Sequence, residues 1–291
     1  VKTQPWQLET GAYPFSIRFN PHYSHLDTER HVNNVAVQSF HTEARTRFHM
    51  AVLGDRAWYS DDVLLRPRRT VTHFLRETHY PHEVTAAVRL VAVEDDSYRL
   101  VQALFQNGEC VGVQECLMGA WGEAGWVALP EAARRALAAE QVDGQPLLPW
   151  PELPEETETF EPGPRQVALT ARYADLDPDR RLSELAQARY LEQARAGSVT
   201  MLRQPNLGLL VARIDIRYQR WDTGMGEVAL SSELAGIGNS SFVLRGRAAV
   251  DGRPVAMAES VMVLIDRDTH RPTPVPDALR AEMAVLQPPT A

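Results

Sequence analysis

Val37, Phe40, Ala44, Phe48 and Val52 recur at intervals of three, four, four and four, the spacing that lines one face of a helix. The stripe predicts an amphipathic helix of about five turns. Asn33 or Asn34 stands where a side chain would cap its first turn. Between residues 62 and 121 the pattern changes to runs rich in β-branched and aromatic residues: V-T-H-F-L-R-E-T-H-Y, E-V-T-A-A-V-R-L-V-A-V, S-Y-R-L-V-Q-A-L-F-Q and C-V-G-V-Q-E-C-L-M-G-A-W. These predict strands, broken by D-D and N-G turn signals, with Asn107-Gly108 as a tight hairpin. Pro130 to Ala139 reads as a short helix with proline at its start.

The pattern then repeats. Y-A-D-L-D at 173–177 answers Y-S-H-L-D at 23–27, so Asp177 lies 150 residues after Asp27, and Arg195 lies 150 after Arg45. The hairpin glycines Gly108 and Gly252 are 144 apart, and Pro130 and Pro276 are 146 apart. Landmarks in one order at nearly one offset mark a duplication. Residues 142–165 hold six prolines and six acidic residues, a composition that suits a semi-extended crossover rather than a helix or central strand. Its Leu147, Leu148, Trp150 and Leu153 would let it lie on the protein surface. The expected organisation is a first unit at 13–141, a linker at 142–165 and a second unit at 166–288. Each would be α+β: a loop, a long helix, then four or more antiparallel strands curling round it. Each sheet has an open edge, and pairing those edges would join the units as a pseudo-dimer within one chain.

Composition narrows the function. The chain is that of an ordinary globular protein, 44% hydrophobic and 23% charged. Its net charge of -8 argues against a general nucleic-acid binder and against an acidic protein partner. Cys110 and Cys116 form no ligand cluster and read as reduced thiols of a cytosolic protein. No apolar run approaches the ~18 residues of a membrane span, and V-K-T-Q-P-W-Q lacks the features of a signal peptide. A cytoplasmic location is expected.

The stretch D-T-E-R-H-V-N-N at 27–34 brings an acid, a histidine and a helix start together. The uncapped amides and the positive end of the helix dipole point back toward Asp27 and His31, a geometry suited to a developing oxyanion. Read singly, Asp27 is a turn or capping aspartate and His31 a structural histidine; the combination points to chemistry. Arg66, Arg68 and Arg69 form a basic cluster, read as a loop that takes phosphates or as a solvated edge. His22 with His25, and His79 with His82, have ligand-like spacing, but nothing completes a metal set. No metal is expected.

The order of elements, with the loop D-T-E-R-H-V-N-N and the helix segment E-A-R, resembles the hotdog-fold thioesterases of the 4-hydroxybenzoyl-CoA and acyl-ACP thioesterase superfamily, over almost the entire chain taken twice. D-x-x-x-H-V-N-N is similar to D-x-N-x-H-V-N-N of the acyl-ACP enzymes, with Glu29 where they carry asparagine. The resemblance implies Asp27 as the catalytic aspartate and His31 as the histidine. F-L-R-E-T at 74–78 resembles the strand motif Y-R-R-E-C, which implies Glu77 as a further acid. In the acyl-ACP enzymes H-V-N-N belongs to the C-terminal unit, whereas here it is N-terminal. In the second unit Asp177 is retained, but Arg181 stands at the histidine, Ser183 and Glu184 at the asparagines, and Trp221 roughly where Glu77 stands. Eight of the nine histidines precede the linker, so one working site and one degenerate site at Asp177 are expected.

The implied activity is hydrolysis of an acyl thioester, with Asp27 as nucleophile or general base, Asn33 and Asn34 at the oxyanion-binding helix start, and Glu77 in support. Arg66, Arg68 and Arg69 would take coenzyme A phosphates, and Glu192 or Tyr190 would face the acyl chain. Coenzyme A enters as part of the substrate and no separate cofactor is implied. Acyl carrier protein is the alternative carrier. Hotdog sheets commonly pack back to back, which implies an oligomer of pseudo-dimers. Two rival readings remain. An enoyl-thioester hydratase would show D-x-x-x-x-H before N-P or H-F-P, which this chain lacks. A non-catalytic acyl-thioester binder would bind without turnover.

Overall fold

The computed structural model describes residues 3–59, 63–142, 144–154, 158–199 and 206–287. The chain forms two compact units, Val1–Pro151 and Glu152–Ala291. The expected linker positions 143 and 155–157, and the expected end of the second unit at 288, lie outside the described residues.

In the first unit the predicted helix is α1 (Asn34–Leu53), ended by Gly54 at φ 102°. Before it lies a strand absent from the sequence-based expectation, β1 (Phe15–Phe19). Its alternation of half-buried Phe15, Ile17 and Phe19 with exposed Ser16 and Arg18 is the ordinary signature of a strand covered on one face. Then come β2 (Leu64–Phe74), β3 (Val84–Val93), β4 (Ser97–Gln106), β5 (Glu109–Gly122), the short β6 (Gly125–Val127) and α2 (Glu131–Ala139). The strands are antiparallel in the order β1-β3-β4-β5-β2, with β6 on β5. Asn107 and Gly108 both take positive φ, 54° and 82°, as the tight hairpin requires.

One strand is displaced from its expected place. β2 begins before Val71 and stops at Phe74, because the amides of Leu75 and Arg76 both turn to the carbonyl of Val111. Arg66, Arg68 and Arg69 therefore lie in a strand, with a register irregularity between Pro67 and Arg69, rather than in a loop. Glu77 lies in the loop after the strand rather than in a strand.

The apolar stripe of α1 packs into a core with Val88, Leu90, Leu100, Leu104 and Met118. Each large apolar side chain so buried contributes roughly 1.5–3 kcal/mol. The opposite face of the sheet is covered too: Val101, Ala103, Phe105 and Val113 pack with Trp6 and Tyr13, and Leu147 lies against them. β4 is thus buried on both faces, which explains its nearly continuous apolar sequence. Trp150 packs against the guanidinium groups of Arg69 and Arg99, at 5.0 and 4.5 Å, and donates to Glu115 Oε2 at 2.7 Å.

The second unit repeats the design: β7 (Arg165–Thr170), α3 (Glu184–Val199), β8 (Leu207–Tyr218), β9 (Glu227–Ile237), β10 (Ser241–Val250), β11 (Arg253–Asp266) and α4 (Asp277–Met283). Its order β7-β9-β10-β11-β8 matches that of the first unit strand for strand. Asp251 and Gly252, at φ 48° and 77°, rebuild the hairpin. Among the described residues no helix is long and apolar enough to cross a membrane. Cys110 is half-buried and Cys116 is buried, and among the described residues neither forms a disulfide.

Beside its apolar stripe α1 buries a polar one, Gln38, His41, Arg45 and His49. Gln38 and Gln114 share the Thr72 hydroxyl, and the Tyr98 hydroxyl meets His49 Nε2 at 2.9 Å. Neither ring nitrogen of His41 has a hydrogen-bond partner among the described residues. Burial first, and the Arg45 charge second, bring both His41 and His49 down to about 3. Below pH ~6.5 the unfolded chain takes up protons that these folded imidazoles refuse, so stability falls by about 1.4 kcal/mol per pH unit for each, down toward pH 3. The position matching His41 in α3 is Leu191. His41→Leu is therefore expected to stabilise the first unit by roughly 1–3 kcal/mol at neutral pH and to halve this pair's contribution to acid sensitivity. Denaturant unfolding at pH 5 and pH 7.5 measures both effects.

Candidate active site

The segment joining β1 to α1 is built by Asp27. Its Oδ1 accepts from the amides of Glu29 at 2.9 Å and His31 at 3.1 Å, and its own amide donates to the His31 carbonyl at 2.9 Å. Arg30 takes the left-handed conformation, φ 69°, and Leu26 bridges Val32 across the closed loop. Oδ2 accepts from no group among the described residues. The bland reading of Asp27 as a turn aspartate is thus correct for one oxygen and leaves the other for chemistry.

Two amide bonds fix the loop. Asn33 donates to the carbonyl of His25 at 2.8 Å, and Val32 donates to that of Thr78 at 2.9 Å. The second brings Glu77 to His31, where Nε2 and Glu77 Oε2 stand 3.2 Å apart with both side chains about one-third exposed, 29% and 32%. Asn33 caps α1, accepting from Val35 at 2.7 Å. The amide of Asn34, the next residue, meets no acceptor among the described residues. Asp27, His31, Glu77 and the helix start are therefore gathered at one place.

The arginines behave differently. Arg68 donates to the Asp96 carboxylate at 3.0 Å and to its carbonyl at 3.1 Å, and packs on Trp126 at 4.7 Å. Arg69 stacks on Trp150 and donates to the carbonyl of Pro151 at 2.5 Å. Two of the three cations expected to take phosphates are thus used in holding the first unit together, and Arg66 is partly buried beside them in β2.

The second unit keeps the skeleton. Asp177 Oδ1 accepts from Asp179 at 2.9 Å and Arg181 at 3.0 Å, Arg180 has φ 61°, and Leu176 bridges Leu182. Ser183 caps α3 by accepting from Ala186 at 3.1 Å. Leu182 donates to Thr223, as Val32 does to Thr78. That pair is offset by 145 rather than 144, so the residue matching Glu77 is Asp222 and not Trp221. Trp221 is fully buried and stacks on Tyr218 at 5.2 Å. Arg181 donates to the Asp222 carbonyl at 3.0 Å. Despite the cost of burial, Arg220 and Arg253 hold the Asp222 carboxyl below the usual range. Tyr190 is buried and donates to Asp175 at 3.0 Å, and Glu192 pairs with Arg195 at 3.7 Å.

Sequence reasoning weighed His79 only as a partner of His82 in a metal set; its Nε2 lies 3.9 Å from Glu77 Oε2. The same reasoning passed over the job of His25. Its Nδ1 accepts from the His22 amide at 3.0 Å, as Asp175 Oδ2 accepts from Arg172 at 2.8 Å in the second unit. Burial first, then neighbouring His22, keep His25 below the ordinary histidine value, which suits a ring nitrogen that must accept. Matching Y-S-H-L-D to Y-A-D-L-D could have revealed this role. Among the described residues no group of three or more acids, histidines or cysteines could hold a metal.

Residues 173–283 match the family model of the thioesterase-like superfamily. The chain is similar to the 12:0-ACP thioesterase from Umbellularia californica, with TM-score 0.71 and 15% identity, covering 85% of this chain and 93% of that one. It is similar to a protein from Lactobacillus plantarum described as an oleoyl thioesterase, with TM-score 0.69 and 15% identity over 86% and 95% of the two chains. An acyl-ACP thioesterase from Bacteroides thetaiotaomicron gives TM-score 0.63 and 13% identity over 85% and 96%. At these identities the likeness is one of fold. No curated protein sequence matches the chain.

Since the Asp staple is common to both units, Asp27→Ala and Asp177→Ala are each expected to cost about 1–3 kcal/mol, the loss of two carboxylate–amide bonds. The asparagine variants, which keep an Oδ1 acceptor, should lose less than half of that. Urea unfolding of the four variants tests the equivalence.

Proposed function

We propose that this chain, whose residues 173–283 match the family model of the thioesterase-like superfamily, hydrolyses an acyl-CoA thioester to the free acid and thiol at the Asp27 loop. The observation that carries the reading is the pairing of His31 with Glu77 at 3.2 Å on a loop stapled by Asp27 at the start of α1. In the second unit Arg181 and Asp222 take those places, so the working site belongs to the first. Pairing of the two units into a pseudo-dimer, further oligomerisation and a cytoplasmic location are parts of the same proposal.

A thiolate leaves readily, since a free thiol has a pKa of about 8.5. What the protein must supply is a nucleophile and a place for the negative charge that develops on the carbonyl oxygen. The Asn34 amide and the dipole of α1 serve the oxygen, and one such donor is worth roughly 3 kcal/mol in the transition state. Asp27 Oδ2 then acts in one of two ways. It adds to the carbonyl carbon, expelling thiolate and leaving an anhydride that water opens, or it takes a proton from a water that adds instead. His31, held by Glu77, orients that water.

Acyl carrier protein is the second reading of the carrier, favoured by the names of two structural relatives. Against it stands the net charge of -8, which repels an acidic partner. The proposed preference for coenzyme A rests on that charge and not on Arg68 or Arg69.

Thiol release from acyl-CoAs of graded length and from the matching acyl carrier proteins tests the proposal with wild type, Asp27→Asn, His31→Gln, Glu77→Gln and Asp177→Asn. Asp27→Asn and His31→Gln are expected to lose about 100-fold or more in kcat, and Asp177→Asn to stay within twofold. Equal losses in both aspartate variants would mean two working sites. Retained activity in Asp27→Asn alone would reduce that carboxylate to its loop-forming role. Binding without release by wild type would establish the non-catalytic alternative, and hydration of crotonyl-CoA the hydratase.

A further inference from the structure

Glu77 is approached by two imidazoles on one oxygen. His31 Nε2 lies 3.2 Å from Oε2 and His79 Nε2 lies 3.9 Å from the same atom. The two rings meet edge to face, with centroids 5.6 Å apart and planes at 84°. Left to His31 alone, a carboxylate on a loop and one-third exposed could rotate toward solvent. A second imidazole near the same oxygen favours the rotamer that faces His31.

The place of His79 is itself fixed. Gln106, buried at the end of β4, accepts from the His79 amide through Oε1 at 2.9 Å. Its Nε2 donates to the carbonyls of His79 at 2.8 Å and His82 at 2.9 Å. One buried amide side chain thus makes three bonds to the loop that presents His79. In the second unit, the offset of 145 set by Thr78 and Thr223 puts Gly224 at the place of His79. The hairpin offset of 144 puts Val250 at that of Gln106. The unit that lacks the His31–Glu77 pair lacks both of these residues too.

We infer that His79, anchored by Gln106, is a positioning residue that holds Glu77 against His31. The inference rests on the reading of this loop as a thioester-hydrolase site. Of the elements around His79, its own loop supplies Glu77 as a titratable neighbour, the Asp27 loop supplies His31, and β4 supplies the neutral Gln106.

The test uses the full chain with His79→Gln and Gln106→Val. The His79 side chain is half-exposed, so its substitution leaves the core intact. Thiol release against pH and the imidazole NMR titration of His31 are measured for each. His79→Gln is expected to lower kcat about five- to tenfold, a positioning effect below the 10²-fold or more of an acid–base group, with KM within twofold. Its acid limb and the imidazole NMR titration of His31 should both depart from those of wild type. Gln106→Val should show the same changes in lesser degree. A wild-type acid limb together with an unmoved His31 titration in His79→Gln would overturn the inference. If wild type releases no thiol from any substrate, the hydrolase reading fails, and the NMR titration alone decides the role of His79: a moved His31 supports it and an unmoved one overturns it.

Discussion

A carboxylate oxygen that accepts two backbone amides closes the loop before the long helix in each unit, and the geometry of the candidate site depends on it. Asp27 Oδ1 does this for Glu29 and His31, and Asp177 Oδ1 for Asp179 and Arg181. Amide groups in a tight loop cannot pair with one another, so a charged acceptor within the loop satisfies them at little cost in chain entropy. With the loop closed, the next amides are free to reach outward, to Thr78 in one unit and Thr223 in the other. The staple therefore sets the distance between the residue at position 31 or 181 and the acid that follows the first long strand.

The two units then spend that geometry differently. In the first, a histidine meets a carboxylate that has few other partners. In the second, an arginine reaches a backbone carbonyl while the acid is held by two further arginines. The second arrangement is a network of ion pairs in which Arg220 and Arg253 hold the Asp222 carboxylate, whereas in the first the Glu77 carboxylate faces the imidazoles of His31 and His79.

The helices show the same divergence within the core. α1 buries Gln38, His41 and His49 where α3 has Ala188, Leu191 and Val199, while Arg45 and Arg195 occupy matching buried positions. Arg45 donates to Cys116 at 3.5 Å and Arg195 to Ser260 at 3.2 Å, acceptors 144 residues apart in β5 and β11. A buried cation is tolerated in both units, yet only the first adds unpartnered imidazole to it. Burial of polar atoms without partners lowers stability, and in the first unit the two buried histidines add a loss of stability as pH falls below the ordinary histidine value.

Much of this was legible in the linear pattern. The period of Val37 to Val52 specified α1, because one face of a helix must be apolar to bury, and Asn33 caps it because its side chain can accept from Val35. The paired landmarks showed the duplication, because the same loop, helix and hairpin need the same residues at the same spacing. The motif around Asp27 pointed to His31, and F-L-R-E-T at 74–78 to Glu77, the two side chains that the fold sets 3.2 Å apart. What the pattern could not supply was contact between segments far apart in the chain. Whether Arg68 and Arg69 face solvent or Trp126 and Trp150 depends on where β2 begins and on what packs over it. That Asp222 rather than Trp221 answers Glu77 depends on a single backbone bond to Thr223. His79 joins the site only because Gln106, on another strand, holds its loop. The residues' own sequence determined the helix, the hairpins, the repeat and the loop that Asp27 closes, since these arise from local spacing and short-range hydrogen bonds. Only the tertiary structure decided which charged side chains remain available for chemistry, since that depends on neighbours brought together by the register of the sheet.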